Sequence, residues 1–402
     1  LFTAVPFRVS PGSGNTCEYT VRDLLWRQDA FTFAPSGWRP VPIANWPSEA
    51  WVWGEDGAAL LIGKYNTDDL EWSLLDHAWR RAGDDRHLQQ RFGGAGRSKA
   101  RDPQGAAPRA PGQSFTFGPT RFTLVRGTWQ DAYYAYRAQM DRRGHGLPAN
   151  YDPPVHWNEL YDNPLWWTGD SAEGRATHYT LDAMRSEAAK ARELGCEALY
   201  LDPGWDTSFG SMIWATDRLG PMDEFVRRLA DDYGLVLSLH TPIAPWIDPA
   251  EYPVEARLMD EQGRRLDEVC AASSVYGATV VARHLELCRN GARFLMYDGS
   301  RWPGSGACWD PAHGHSVPLK HIEHINAIVR IAQQVHAVYP DVLIEQHDPM
   351  AGPSEHRYCP MYFMHDKPGA FDEHWGDEHM WFPMEDLRNR RSIAQYYYCL
   401  AY

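Results

Sequence analysis

The sequence predicts a multidomain β plus α/β protein: an N-terminal β-sandwich, then a (β/α)8 barrel that the chain leaves after about six strands. Three observations carry this reading. Up to residue 128, apolar and aromatic runs are short and lie between Gly, Pro and Asp clusters. From Pro153 onward, helical and strand-like patterns alternate. Each later apolar strand also ends on a polar residue. The expected division is a sandwich over 1–128, a linker helix over 129–152 and an incomplete barrel over 153–402.

In the first region, "GAALLIGKYN" (57–66), "EWSLLDHA" (71–78) and "QSFTFGPTRFTLVRG" (113–127) read as strands. The intervening stretch 93–112 is rich in Gly, Pro, Ala and Arg without periodicity, which predicts a loop. "TWQDAYYAYRAQMDRRGHG" (128–146) then reads as a helix capped by Thr128 and stopped by glycine.

The second region repeats one unit four times: helix, Gly or Pro stop, apolar strand, polar end. The helices are expected at 180–195, 222–234, 275–291 and 316–340. Their strands deliver Asp202, His240, Asp298 and the group Glu345, His347 and Asp348. "PPVHWNELYD" (153–162) supplies a strand in front, and "GAFDEHW" (369–375) a sixth. Near-continuous apolar strands are buried on both faces, as in a parallel sheet. A doubly wound sheet is the alternative, but no GxGxxG follows the first strand. In a barrel, the strand ends form the reactive face.

Composition narrows the function. The formal charge of −14 over 402 residues argues against nucleic-acid or anionic-membrane surfaces. No span approaches a transmembrane helix. Seven cysteines, none in a CxxC pair, indicate neither a zinc site nor a full disulfide framework, and read as small buried residues. The first residues lack a signal-peptide pattern, and the chain starts at Leu1 without Met, so the true N-terminus is expected upstream. Localisation stays open between cytoplasm and a secreted or periplasmic site, as does homo-oligomerisation.

Asp298 ends the strand "FLMYDGS" (294–300). Asp-Gly is a favoured turn pair, but a carboxylate at a strand end can also attack an acetal carbon. Glycoside hydrolysis needs a second carboxyl group, and Asp372 and Glu373 in "AFDEHW" are the candidates. Successive strand residues face opposite ways, so only one of them meets the barrel mouth. Asp202 and Trp205 in "YLDPGWDT" suit a sugar: a carboxylate for hydroxyls and an indole for the ring. Trp157, Asn158 and Glu159 follow the first strand and either line the pocket or cap the barrel, with His240, Glu345 and His347 around it. A rival is a metal-dependent barrel hydrolase in which His313 and His315 join a strand-end acid on Zn²⁺ or Mn²⁺. A third reading is a non-catalytic carbohydrate-binding protein on the same scaffold.

Together these motifs resemble the α-galactosidase-like glycoside hydrolases (family 36-like, clan D), in which a β-supersandwich precedes a (β/α)8 barrel. "LYLDPGWDTSFGSMIWATDRLGPMDEF" is similar to that family's second-strand segment and "ARFLMYDGS" to its fourth, which carries the nucleophile. "VLIEQHD" matches its fifth strand, "AFDEHW" lies where its sixth carries the acid/base, and "SIAQYYYCLAY" resembles the helix after it. The resemblance implies a retaining α-glycosidase with Asp298 as nucleophile, Asp372 or Glu373 as acid/base, an oligosaccharide or glycoside substrate, and no organic cofactor or catalytic metal. Two positions depart from the family: Met296 stands where it has a lysine, and Pro203 where it has the second aspartate of a sugar-binding pair.

Overall fold

A computed structural model of the chain describes residues 3–9, 50–55, 57–68, 72–76, 86–93, 118–127, 129–146, 152–161, 171–300, 302–346 and 358. They fall into two compact units, divided after Gly146.

The first unit contains two three-stranded antiparallel sheets. One has the order β1 (Thr3–Val9), β5 (Arg86–Gly93), β4 (Trp72–Asp76). The other has the order β2 (Ala50–Glu55), β3 (Ala58–Lys64), β6 (Thr120–Arg126). The predicted strands appear as β3, β4 and β6. The sequence reading did not include β1, β2 and β5. Pro6 in β1 is a poor central-strand residue, and β1 lies at a sheet edge, where a missing N–H is harmless. β5, "RHLQQRFG", is too polar to show alternation.

The helix Trp129–Arg142 packs on the second sheet. Gln139 donates from Nε2 to Thr123 Oγ1 at 3.3 Å. The Tyr136 ring packs over Gly63, at a distance of 3.9 Å from where a Cβ would stand, an ordinary contact. The expected cap, Thr128, lies outside the described residues.

The second unit is built on a five-stranded parallel sheet, a partial barrel-like α/β region. Its strands are β7 (His156–Asn158), β8 (Ala198–Leu201), β9 (Val236–Pro242), β12 (Ala292–Asp298) and β13 (Leu343–Gln346). Each pairs with the next one along the chain, so the order never reverses as it does in a doubly wound sheet. The strand expected at 369–375 and the helix after it lie outside the described residues.

The helices stop where glycine permits. Gly195, Gly234 and Gly291 have φ of +75°, +73° and +107° and end Leu181–Glu193, the turn Leu229–Tyr233 and Ser274–Arg289. Thr180 and Ser273 cap the first and last of these through their hydroxyls. The last helix starts later than predicted, at His321. Glu323 accepts from the Lys320 and Ser316 N–H groups at 2.9 and 3.0 Å, which fixes the start there. A hairpin, β10 (Arg257–Met259) and β11 (Arg265–Val269), is inserted after β9 and was not read from the sequence.

Candidate active site

Side chains alternate along a strand, so residues two apart share a face. His156, Tyr200, Ser238 and Phe294 form one layer inside the sheet. His156 Nε2 lies 2.8 Å from Ser238 Oγ, and its ring meets Phe294 edge-on at 4.8 Å. Burial holds His156 neutral, with its pKa lowered to about 4. Met296 and Tyr200 close this layer, with the Tyr200 hydroxyl 3.4 Å from the Met296 sulfur. Two residues further along β7, β8 and β9 the same face carries Asn158, Asp202 and His240, and on β12 it carries Asp298 four residues beyond Phe294. A packed, largely aromatic layer therefore supports a more polar one at the strands' C-terminal ends.

Hydrogen bonds join this layer in two pairs. His240 Nε2 is 3.0 Å from Asp298 Oδ2, and the Gly299 N–H donates to Asp298 Oδ1 at 2.5 Å. Asn158 Nδ2 donates to Asp202 Oδ2 at 2.7 Å. Burial raises the Asp202 carboxyl, while His240 and Asn158 pull against it. Burial also opposes a charge on His240, but Asp202 and the bond to Asp298 outweigh it and the imidazole is raised. Asp298 is 14% exposed and His240 2%, so the carboxylate is the member that reaches solvent.

Glu159 sits beneath this layer, 1% exposed. It accepts from the Tyr179 hydroxyl and, at 3.0 Å, from the Asp202 N–H. Burial pushes its carboxyl up to about 8. Glu159 thus fixes the backbone that presents Asp202. Glu345 is fully buried and in register with Met296 on the neighbouring strand.

The two tryptophans expected at the sugar have structural contacts of their own. Trp157 occupies the opposite phase of β7 from His156 and Asn158, and its Nε1 donates to Glu187 on the helix Leu181–Glu193 at 2.9 Å. Trp205 is 1% exposed, with Nε1 donating to the His240 carbonyl at 2.8 Å, so it braces β9 from within the core. His347, Asp348, Asp372 and Glu373 lie outside the described residues. His313 and His315 face Cys270 and Cys308, not a strand-end carboxylate.

Asp206, Tyr179 and Trp246 also lie in this region and are not expected from the sequence. Asp206 is buried and pushed up to about 6, chiefly by desolvation; the Met212 N–H donates to it at 3.3 Å. Its only sequence signal is a second aspartate in "YLDPGWDT". Trp246 is half-buried, edge-on to His240 at 5.9 Å and to Phe209 at 4.9 Å. An aromatic residue in the loop after a strand-end histidine is the signal that would have found it. Gly299, with φ +73°, is required beside it, because a Cβ there would sit 2.3 Å from Trp246 Cβ.

Such a layer, with one semi-exposed carboxylate at a parallel-strand end, is a site suited to nucleophilic or acid–base chemistry. No protein-family model and no curated protein matches the sequence. Among solved structures, the chain is similar to an α-galactosidase from Thermus thermophilus in complex with stachyose (15% identity, 78% of this chain and 58% of that one, TM-score 0.47). It is also similar to a GH36 α-galactosidase double variant from Geobacillus stearothermophilus in complex with stachyose (14%, 80% and 47%, TM-score 0.49). A third is an α-N-acetylgalactosaminidase from Bifidobacterium bifidum, ligand free (15%, 74% and 52%, TM-score 0.43). The chain spans about half the length of these structures.

Proposed function

We propose that this chain carries the catalytic face of a retaining glycoside hydrolase that cleaves an α-glycosidic bond, in an α-galactoside or a related glycoside. The observation that supports this most is the position of Asp298: at the end of a parallel strand, partly open to solvent, and held by His240 and the Gly299 N–H. Both contacts favour the ionised carboxylate. Asp298 attacks the anomeric carbon while a carboxylic acid, Asp372 or Glu373, protonates the departing oxygen. A water, deprotonated by the same acid/base, then breaks the glycosyl–Asp298 ester and restores both carboxyl groups. Asp202, positioned by Asn158 and Glu159, receives sugar hydroxyls. Trp246, rather than the enclosed Trp205, offers an aromatic face. Glu345 and His347 complete the surroundings, and no cofactor is needed for either half-reaction.

The domain plan goes with this reading: a β-sandwich over 1–128, a linker helix over 129–152, and a (β/α)8 barrel begun over 153–402. Met296 and Pro203 stand where the resembled family has a lysine and an aspartate, so the glycone is not bound by those groups. The test is hydrolysis of a panel of aryl α-glycosides by the full-length gene product. Turnover that is lost in Asp298→Asn, with circular dichroism unchanged, supports the proposal. Undiminished turnover in that variant refutes it.

A further inference from the structure

Away from the strand ends, His313 and His315, the histidine pair expected to join a strand-end acid on a metal, converge instead with two cysteines. Cys270 follows β11, Cys308 lies in the loop after β12, and His313 and His315 follow in that loop. One ligand atom from each lies within 4.8 Å of all the others. Cys308 Sγ is 3.3 Å from His313 Nδ1, and Cys270 Sγ is 3.6 Å from His315 Nε2. With zinc–sulfur and zinc–nitrogen bonds of about 2.3 and 2.0 Å, a tetrahedral centre separates its ligands by about 3.3–3.8 Å. These two thiol–imidazole spacings fit that figure, and the remaining ones, up to 4.8 Å, would close by about 1 Å on metal binding.

We propose that Cys270, Cys308, His313 and His315 form a structural zinc site that ties the hairpin after β9 to the loop after β12. The histidines are oriented for it. His313 Nε2 is 2.7 Å from the Glu255 carbonyl and 3.2 Å from Asp310 Oδ2, against 3.5 Å from Arg265, so it carries the proton. His315 Nδ1 donates to the Ser316 carbonyl at 2.6 Å. In each ring the other nitrogen is thereby left with a bare lone pair facing a thiol, the arrangement by which outer partners set a metal-bound histidine.

Backbone hydrogen bonds anchor the segments that carry the two cysteines. Cys270 N donates to the Ala256 carbonyl at 2.9 Å, Leu319 N to that of Cys308 at 2.8 Å, and Trp309 N to that of Met259 at 2.8 Å. Arg265 pairs with Asp310 at 2.5 Å across the two segments, and Gly314, with φ +80°, makes the turn between the histidines. Two thiolates neutralise a divalent cation, so its burial beside Leu258, Leu319 and Ala272 leaves no net charge in that core. Soft sulfur with imidazole in four-coordinate geometry selects zinc over magnesium or calcium. Four protein ligands leave no open position for water, so the site holds structure rather than performing hydrolysis. The competing arrangement is a metal-free thiol pair hydrogen-bonded to the same histidines.

Metal analysis of the full-length protein, grown with zinc and purified without chelator, separates these. About one zinc per chain is expected. Cobalt(II) in its place should give the thiolate charge-transfer and d–d absorption of a tetrahedral site. Cys308→Ser should abolish both. His315→Ala, at the half-exposed rim, should release zinc to a competing chelator at least about tenfold more readily. Folded wild-type protein that neither contains nor takes up zinc overturns the proposal, as does a Cys270–Cys308 disulfide in the peptide map. So does unchanged zinc content in Cys308→Ser. Wild-type zinc content and the cobalt spectrum decide the matter even if the variants fail to fold, and neither depends on glycosidase activity.

Discussion

His240 Nε2 lies 3.0 Å from Asp298 Oδ2, with His240 buried and Asp298 open at the strand end. The imidazole is raised above its usual value, against the cost of burial, by Asp202 and Asp298. A raised histidine stabilises the fold fully below its unfolded pKa, and that contribution is lost as pH rises through the folded value. Asp298→Asn removes one of the two carboxylates. The His240 imidazole should then titrate at lower pH than in the wild type, read from its ring-proton shifts by NMR. An unchanged titration would show that the two groups are not coupled.

Glu159 gives a second pH signature. Its carboxyl is pushed up to about 8 by burial, so the folded state holds the proton more tightly than the unfolded chain. Stability from this group is therefore present below pH ~4.5 and is lost as pH rises toward and through about 8. Glu159→Gln mimics the protonated acid and cannot ionise. Its melting temperature should gain on that of the wild type as pH increases through this window. Glu159→Ala removes the acceptor for the Tyr179 hydroxyl and the Asp202 N–H, and should cost about 1–3 kcal/mol by denaturant unfolding.

Trp246 is partly open and lies edge-on to His240, with ring centroids 5.9 Å apart. If it stacks on the substrate, Trp246→Ala should raise KM about three- to tenfold, while Trp246→Phe recovers most of that loss. An equal fall in kcat for both variants would instead point to disturbed packing around Gly299.

Gly299→Ala should destabilise the protein by about 1–3 kcal/mol, because φ is +73° and the new Cβ would run into Trp246 Cβ. The same substitution at Gly195, also at positive φ but with nothing within 4 Å, should cost less. Parallel urea titrations compare them; equal losses would mean that the Trp246 contact adds nothing.

The sheet strands at 153–162, 196–202, 235–240, 292–298 and 341–348 were legible because each is an apolar run between a Gly or Pro stop and a polar end. That pattern also located Asp202, His240 and Asp298. The contacts of the tryptophans were not legible: strand phase turns Trp157 to the helix side, and the loop after Asp202 folds Trp205 back under β9. Neither outcome is encoded in composition. The cysteines were read as isolated because Cys270 and Cys308 lie far apart in sequence, and only the hairpin after β9, which has no strong period-2 signal, brings them together.

The central claim is that Asp298 is the nucleophile, and covalent trapping tests it most directly. The full-length protein would be incubated with a panel of activated 2-deoxy-2-fluoro-glycosides, digested, and mapped by mass spectrometry. The account predicts a single glycosyl adduct on the peptide bearing Asp298, formed as activity is lost and absent from Asp298→Asn. An adduct on a different carboxylate, or rapid turnover of aryl glycosides with none on Asp298, would contradict it.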